Sequence, residues 1–321
     1  MKNSLALVFL VFSVIICSAQ DSRYSFKENY DLGLSARVSI SSSDGDIEAV
    51  GMEGSKTDIF YIVKKNGRLL NISRAELEKE VDLQVVQAAN SLNIVVKYRN
   101  EFRVMDWKEK MVVSFRVQVP TATACNLKTS DGNIGARGLT KDQDLKTSDG
   151  NIEVAEIQGS VMATTSDGNI RVKKVGGDVD AKTSDGDIEV AEIKGNTEAS
   201  TSDGNISLTK ISGATFAKTS DGDIRFADLN GSLTAKTSDG NVSGNLLQLT
   251  KELNVNTSDG NISVTIPSKL GLDLHIKGES LDVPLANFSG KSDENSIDGK
   301  SNGGGIPVNI STSGHVRLIY N

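Results

Sequence analysis

The sequence contains few aromatic residues, two cysteines and no long apolar segment after its N-terminus. Phe, Trp and Tyr together make up 5% of its 321 residues, with a single Trp. This scarcity argues against a sugar-stacking groove or an aromatic hot spot for protein binding. Nothing after the leader is long and apolar enough to span a membrane as a helix. The formal net charge of -7 argues against a nucleic-acid partner.

The first residues have the pattern of a secretory signal peptide. Lys2 is followed by an apolar run, Leu5 to Ile16, and by the small-residue exit Cys17-Ser18-Ala19. Residues 1–19 are therefore predicted to be a signal peptide cleaved after Ala19. Acylation of Cys17, as in a lipoprotein, is the alternative, but it needs a small residue where Ile16 stands. We expect an exported chain in the periplasm, on the outer surface or secreted.

Cleavage would leave one cysteine, Cys125, so no intrachain disulfide is expected. A lone thiol is more often a small buried core residue than a nucleophile. Glycine is abundant, with 30 residues, and the apolar residues are mainly small or β-branched. This composition favours β-structure with many turns.

The motif Thr-Ser-Asp-Gly recurs along the chain. Its aspartates are Asp131, Asp149, Asp167, Asp185, Asp203, Asp221, Asp239 and Asp259. The first seven are spaced by 18 residues and the last step is 20, so two residues are inserted between Gly240 and Thr257. A related motif, "SSDGDI", contains Asp44. A fixed period of this length indicates a repeat architecture.

Each repeat shows apolar residues in alternation between two glycine-containing bends. Ile follows the first bend in most copies, for example Ile152, Ile170 and Ile188, and a glycine such as Gly159 or Gly177 marks the second bend. The pattern predicts two short strands and two turns per repeat. Asp can bond to its own turn backbone, and Gly accepts a positive φ, which would explain why Asp-Gly recurs.

Two architectures fit this pattern. Asp-Gly between alternating segments is a hairpin signal and allows an antiparallel meander. The constant 18-residue register favours a parallel β-solenoid with one repeat per coil, because equivalent side chains then stack on one another. We expect an all-β, right-handed solenoid, with handedness taken from general expectation. Eight coils would make a rod roughly 40 Å long.

The chain outside the regular repeats is predicted to cap the solenoid. Residues 20–128 are expected to be an N-terminal β region and cap with a helix near 73–90, where Ser73 and Glu76 form a capping-box pattern. Trp107 is expected to pack in this cap. Residues 129–264 form the regular solenoid. Residues 265–321 form a C-terminal β cap, with a polar, mobile loop in "SGKSDENSIDGKSNGGG".

The repeated Ser-Asp-Gly-Asn/Asp-Ile resembles a bacterial family of adhesin-like exported proteins with β-strand repeats, a domain of unknown function. "FRVQVP" before the first regular repeat and "GGGIPVNISTSGHVRL" near the end match as well. The likeness covers most of the mature chain. It implies a β-helical fold and an adhesin-like role, and it supplies no catalytic residues.

An enzyme is one alternative, because some β-helices cleave polysaccharides with paired carboxylates. Asp185 with Asp187, and Asp221 with Asp223, offer such pairs. However, the same positions recur in every coil, whereas a catalytic site breaks a repeat. His275 and His315 lie outside the regular repeats. We therefore expect no enzymatic activity and no catalytic residue.

A Ca²⁺-stabilised solenoid is a second alternative, because stacked turn aspartates repel one another and cations would relieve this. The candidate residues, as structural turns with weak cation contacts, are Asp131, Asp149, Asp167, Asp185, Asp187, Asp203, Asp221, Asp223, Asp239 and Asp259. No cofactor is expected otherwise. A partial lysine column, as at Lys146 and Lys182, would offset the aspartates. The preferred reading is an adhesin-like protein or envelope scaffold that meets a surface protein or a glycan.

Overall fold

The structure is a computed structural model that describes residues 23–33, 35–98 and 111–321. The predicted signal peptide and Trp107 lie outside these ranges. The described residues form 28 β-strands and one short α-helix. The described part of the chain is all-β apart from that helix, as the composition predicts.

The N-terminal elements precede the regular repeats. They are β1 (Phe26–Asp31), β2 (Arg37–Ser41), β3 (Ile47–Met52), β4 (Lys56–Lys65), β5 (Arg68–Leu69), α1 (Arg74–Glu80), β6 (Val81–Ala88), β7 (Ser91–Tyr98) and β8 (Met111–Pro120).

The regular coils follow, with two strands in each 18-residue repeat. They are β9 (Ala124–Lys128), β10 (Ile134–Leu139), β11 (Gln143–Lys146), β12 (Ile152–Ile157), β13 (Val161–Thr164), β14 (Ile170–Val175), β15 (Val179–Lys182), β16 (Ile188–Ile193), β17 (Thr197–Ser200), β18 (Ile206–Ile211), β19 (Ala214–Lys218), β20 (Ile224–Lys236), β21 (Val242–Asn256) and β22 (Ile262–Ile266). In β20 and β21 both strands of a coil run on as one element.

The C-terminal strands complete the fold. They are β23 (Leu272–Lys277), β24 (Ser280–Asp282), β25 (Phe288–Ser292), β26 (Ser296–Ser301), β27 (Ile306–Ser311) and β28 (His315–Tyr320).

Neighbouring coils pair in parallel and without a shift in register through most of the repeat. Ile152 pairs with Ile170 and Ile170 with Ile188 in the sheet that follows the Ser-Asp-Gly turn, which we name the first sheet. Val161 pairs with Val179 in the sheet that follows the other bend, named the second sheet. An antiparallel meander would instead pair consecutive strands. Each strand here pairs with its equivalent 18 residues away.

The insertion in the last regular coil lies in its second half. Gly231 pairs with Leu249, whereas Leu233 pairs with Leu253, so the two extra residues fall between Leu249 and Leu253. The register of the second sheet is restored immediately afterwards.

Both ends of the solenoid contain a coil that is out of sequence order. The coil of β2 and β3 lies between the β9–β10 coil and strands β7 and β8. At the other end, β27 and β28 pair with β21 and β22 on one side and with β23 and β24 on the other. Antiparallel strands then cover the sheets, with β4 and β1 beyond β8, and β26 and β25 beyond β23.

The core lies between the two sheets and runs the length of the solenoid. Inward columns stack like residues, such as Val154 on Val172 on Val190, all essentially buried. The aromatic residues of the core concentrate at the N-terminal end, where Tyr61 stacks on Phe26 and meets the edge of Phe115. Apart from Phe226, aliphatic stacking therefore accounts for the apolar burial in the regular coils.

The predicted helix near 73–90 is wrong in its extent. Ser73 caps α1 with the expected capping box, but the helix ends at Glu80. Residues 81–88 form β6, antiparallel to β7. Val81 and Leu83 are buried with a period of two, and the pairing with β7 uses this alternation rather than a helical face.

The predicted mobile loop is also wrong. Its residues form the antiparallel hairpin of β25 and β26, and β26 pairs on its other side with β23. Ile297 is buried in this hairpin. The polar composition reflects an exposed outer layer rather than absence of strand structure.

Candidate functional site

The turn aspartates form an exposed row along one edge of the solenoid. All eight Thr-Ser-Asp-Gly aspartates are exposed. The Asp149 backbone N–H donates to the carbonyl of Ser130 at 2.9 Å. The turn amide of Gly150 donates to Thr147 Oγ1 at 3.3 Å rather than to the aspartate. The threonine hydroxyl, and not the aspartate carboxylate, therefore accepts the hydrogen bond of the turn N–H.

The threonine before each turn forms a buried ladder. Thr147 Oγ1 lies 2.9 Å from the carbonyl oxygens of both Ser130 and Gly132 in the preceding coil. The same contacts repeat at Thr165 and Thr183. The Ser130 carbonyl also accepts from the backbone N–H groups of Ser148 and Asp149. The hydroxyl therefore matters most for the buried Gly132 carbonyl, because a buried carbonyl needs a donor.

The turn glycines are required by close backbone approach. A Cβ built on Gly150 would lie 1.9 Å from the carbonyl oxygen of Gly132, and the equivalent clash recurs at Gly168 and Gly186. None of these three glycines has a positive φ. Gly45, in the related motif "SSDGDI", does have one. The expected positive φ is therefore not the reason for the glycine in the regular turns.

The Asn or Asp that follows each turn forms a second ladder, on the outside of the first sheet. The N–H of Asn151 donates to Asn133 Oδ1 at 2.9 Å, and that of Asn169 to Asn151 Oδ1 at 2.8 Å. Asp187 and Asp223 belong to this ladder: each uses Oδ1 to accept from the next coil. Asp187 and Asp223 therefore have a different role from their proposed partners, Asp185 and Asp221, which lie in the turn row.

The carboxylates do not assemble into a metal centre. Within residues 23–33, 35–98 and 111–321, no group of three or more His, Cys, Asp or Glu is arranged to hold a metal ion. The turn aspartates lie one to a coil, about 4.8 Å apart along a parallel sheet. A single row supplies too few ligands on one ion for the six to eight oxygens that Ca²⁺ prefers.

A groove lies on the outer face of the second sheet. Its volume is about 1110 Å³. We name it the second-sheet groove. Its floor is the outward column Asn126, Asp144, Met162, Asp180, Glu198, Phe216 and Thr234, joined strand to strand by the parallel register. One wall includes Glu252, from the inserted residues.

Two apolar side chains stand on the floor of this groove. Met162 is 50% exposed, and Phe216 is half-buried. Between them lie Asp180 and Glu198, and Lys182 bridges both carboxylates at 3.0 and 3.1 Å. Phe216 was not among the surface residues predicted from the sequence. The signal was available, because Thr215 and Ala217 on either side occupy inward columns.

The groove wall beside the second bend carries a third hydrogen-bond ladder. Asp142 Oδ1 accepts from the N–H of Ser160 at 2.8 Å, and Asp178 Oδ1 accepts from the N–H of Asn196 at 2.7 Å. Asn196 Oδ1 accepts from the N–H of Ala214 at 2.9 Å. These bonds hold the wall in place, and each aspartate accepts through its Oδ1.

The remaining candidate groups do not form a reactive site. Cys125 is buried, and its burial raises the pKa of the thiol to about 12. His275 contacts Asp298 at 3.4 Å, and His315 Nδ1 lies 2.8 Å from Ser280 Oγ. The two histidines are on different strands, β23 and β28, and each pair is exposed.

No helix among the described residues is long and apolar enough to cross a membrane. No curated protein matches the chain in sequence.

Two solved structures are similar. One, described as a "putative adhesin" from Bacteroides fragilis, is 16% identical with a TM-score of 0.38, over 74% of this chain and 96% of that one. The other, a "putative cell adhesion protein" from Clostridium sporogenes, is 12% identical with a TM-score of 0.21, over 92% and 98%.

The model of the Toastrack DUF4097 family matches residues 31–217 and again residues 177–318. The two matches overlap within the regular coils and together cover nearly all the described residues. Repeated strands of this kind are what the Ser-Asp-Gly resemblance implied. The chain belongs to the Toastrack DUF4097 family.

Proposed function

We propose that this protein is an exported, non-enzymatic binding protein of the cell envelope, adhesin-like in its role. It would hold a partner along the second-sheet groove. The observation that carries the proposal is the groove itself, which combines exposed Met162 and half-buried Phe216 with carboxylates on a floor built from seven successive coils. Exposed apolar side chains within a concave polar surface are typical of interaction sites.

The rigidity of the coils supports this role. Each regular coil is tied to the next by the threonine ladder and the Asn/Asp ladder, in addition to the strand pairings. The wall ladder adds bonds between the coils from Asp142 to Ala214. A surface built on stacked strands keeps its side chains at fixed spacings, which lowers the entropic cost of binding. Solenoids commonly bind along such extended faces.

A non-enzymatic role is supported by what the candidate carboxylates already do. Asp187 and Asp223 accept backbone hydrogen bonds in a structural ladder. Proton transfer by either would weaken the contact between two coils. The turn partners Asp185 and Asp221 repeat unchanged in the other coils, as a structural column does.

We also propose right-handed coils and export by the predicted signal peptide. Parallel strands joined by a crossover in one sheet are right-handed in about 98% of cases. Export is tested by fractionating cells that produce the full chain and a Lys2→Glu variant with Leu10→Arg. Export predicts a shorter envelope or secreted form from the wild type only.

The binding function is tested with two matched tryptophan variants of the mature chain. Ala214→Trp fills the second-sheet groove, and Ser207→Trp places the same bulk on the outer face of the first sheet. Immobilised proteins are tested against arrays of defined peptides and oligosaccharides. A ligand retained by the wild type and by Ser207→Trp, but not by Ala214→Trp, supports the proposal. No retained ligand, or equal loss in both variants, would overturn it.

A further inference from the structure

We propose that the ligand of the second-sheet groove is an extended basic peptide segment. Its apolar residues would lie four positions apart, with a lysine or arginine midway between them. The inference rests on the proposed binding function and assigns the chemistry of the partner. It follows from the charge of the groove, the spacing of its two apolar side chains and the position of Lys182.

The charge of the lining favours a cation. Six lining residues carry carboxylates: Asp142, Asp144, Asp178, Asp180, Glu198 and Glu252. Two lining residues, Arg37 and Lys141, are cationic. Lys182 adds a third cation, since it pairs with Asp180 and Glu198. Its neighbours in the adjacent coils, Thr164 and Ser200, are uncharged, so carboxylates are in excess beside the floor between Met162 and Phe216. An acidic cleft concentrates cationic partners and repels anionic ones. Acidic glycans are therefore disfavoured as ligands of this groove.

The spacing of the apolar side chains fits an extended chain that runs along the solenoid. Met162 pairs with Asp180, Asp180 with Glu198, and Glu198 with Phe216, so Met162 and Phe216 are three coils apart. At about 4.8 Å per coil this is about 14 Å. Side chains four positions apart on one face of an extended peptide are also about 13 to 14 Å apart.

The residue midway between the two apolar positions would meet the acidic part of the floor. In an extended peptide this residue lies about 7 Å from each apolar neighbour. Asp180 and Glu198 lie at about 5 and 10 Å from Met162 in the same column. A lysine or arginine at the middle position would therefore fall between the two carboxylates, on the same face as the apolar residues.

Lys182 occupies the place of that ligand cation. Its Nζ lies 3.0 Å from Asp180 Oδ2 and 3.1 Å from Glu198 Oε1, and its side chain is 45% exposed. An exposed lysine is held weakly and can be displaced by a competing cation. Lys182 is thus an intramolecular competitor, and its removal should strengthen binding.

The length of the floor sets the length of the ligand. From Asn126 to Thr234 the floor spans seven coils in register. Six steps of about 4.8 Å give about 29 Å, which accommodates about nine residues in extended conformation.

The test uses a synthetic peptide with Leu, Lys and Leu at alternating positions separated by serines, titrated into the mature chain by fluorescence anisotropy. A peptide with Glu in place of Lys is the charge control. Lys182→Gln should bind the basic peptide about threefold more tightly, and Glu198→Gln about threefold more weakly. Phe216→Ala should weaken binding about tenfold.

Glu189→Gln is the matched control, because Glu189 forms a similar exposed pair with Arg171 on the first sheet. It should leave the affinity unchanged. Weaker binding of the basic peptide by Lys182→Gln, or equal binding of the Lys and Glu peptides, would overturn the inference. If neither peptide binds but Ala214→Trp blocks another ligand on the arrays, the proposed function stands and the peptide assignment fails.

Discussion

Asp187 Oδ1 accepts two hydrogen bonds from Asn205 in the next coil, one from its backbone N–H at 2.8 Å and one from its Nδ2 at 3.2 Å. The same double contact joins Asp223 to Asn241, and Asp46 to Asn133. Each aspartate in this ladder is followed by an asparagine. This order of Asp and Asn along the ladder places an amide donor beside every carboxylate. It also prevents two carboxylates from occupying neighbouring coils.

This order predicts a graded response to added charge. Asn205→Asp would have two carboxylate neighbours, Asp187 and Asp223. Asn169→Asp would have one, Asp187, and Asn151→Asp would have none. We expect the free energy of unfolding to fall by about 1 kcal/mol for each like-charged neighbour. Denaturant unfolding at neutral pH measures the series.

The series has an internal control in its salt dependence. At about 1 M NaCl the Debye length falls to about 3 Å, so the differences between the three variants should shrink. Equal destabilisation of all three at neutral pH would show that loss of the amide donor, and not charge repulsion, sets the order of Asp and Asn.

The turn glycines give a second prediction. Gly186→Ala would place a Cβ 1.9 Å from the carbonyl oxygen of Gly168 and force two coils apart. We expect a loss of about 3 kcal/mol in the free energy of unfolding. Gly135→Ala is the matched control, because its Cβ would meet no atom closer than 3.7 Å. Similar stability of the two variants would contradict close approach as the reason for glycine.

The sequence predicted the repeat well because its register is local and constant. Inward columns such as Val154 and Val172, the two strands per coil and the position of the turns follow from alternation and spacing alone. The role of the turn residues did not follow. That role depends on contacts between coils. The sequence of one repeat does not show that Thr147 contacts carbonyl groups in the preceding coil.

The ends of the fold were harder to predict because the chain leaves sequence order there. "TSGHV", from Thr312 to Val316, is a repeat turn without its aspartate, and it continues both ladders: Thr312 Oγ1 contacts the Gly260 carbonyl, and the His315 N–H donates to Asn261 Oδ1 at 2.9 Å. Because this turn lacks the aspartate, the motif search did not detect the coil. Phe216 was missed for a different reason. The low aromatic content was averaged over the whole chain, and the side chains of each outward column were not compared from coil to coil.

The row of turn aspartates leads to a prediction about calcium. Because each coil contributes one carboxylate to the turn row and none of the described residues form a group of three or more that could hold a metal ion, we expect no specific Ca²⁺ site. The melting temperature should be the same with millimolar Ca²⁺, with a chelator and with NaCl at equal ionic strength. A saturable rise with Ca²⁺ alone would establish the Ca²⁺-stabilised alternative.

Cys125 predicts a loss of stability at alkaline pH. Burial raises the pKa of its thiol to about 12, above the value of about 8.5 expected in the unfolded chain. Its contribution to stability is therefore complete below about pH 8.5 and is lost as the pH rises toward 12. Between pH 8 and 10 the wild type should lose about 2 kcal/mol more than Cys125→Ala. Parallel pH profiles would contradict this account.

The methyl group of Met162 reports most directly on binding in the second-sheet groove. We would label methionine methyl groups with ¹³C and record their NMR signals while adding the peptide with alternating Leu, Lys and Leu. Met52 is 45% exposed on β3, outside the groove, and serves as the internal reference. The account predicts a saturable shift of the Met162 signal with the Met52 signal unmoved. An unmoved Met162 signal at saturating peptide, or equal shifts of both signals, would contradict it.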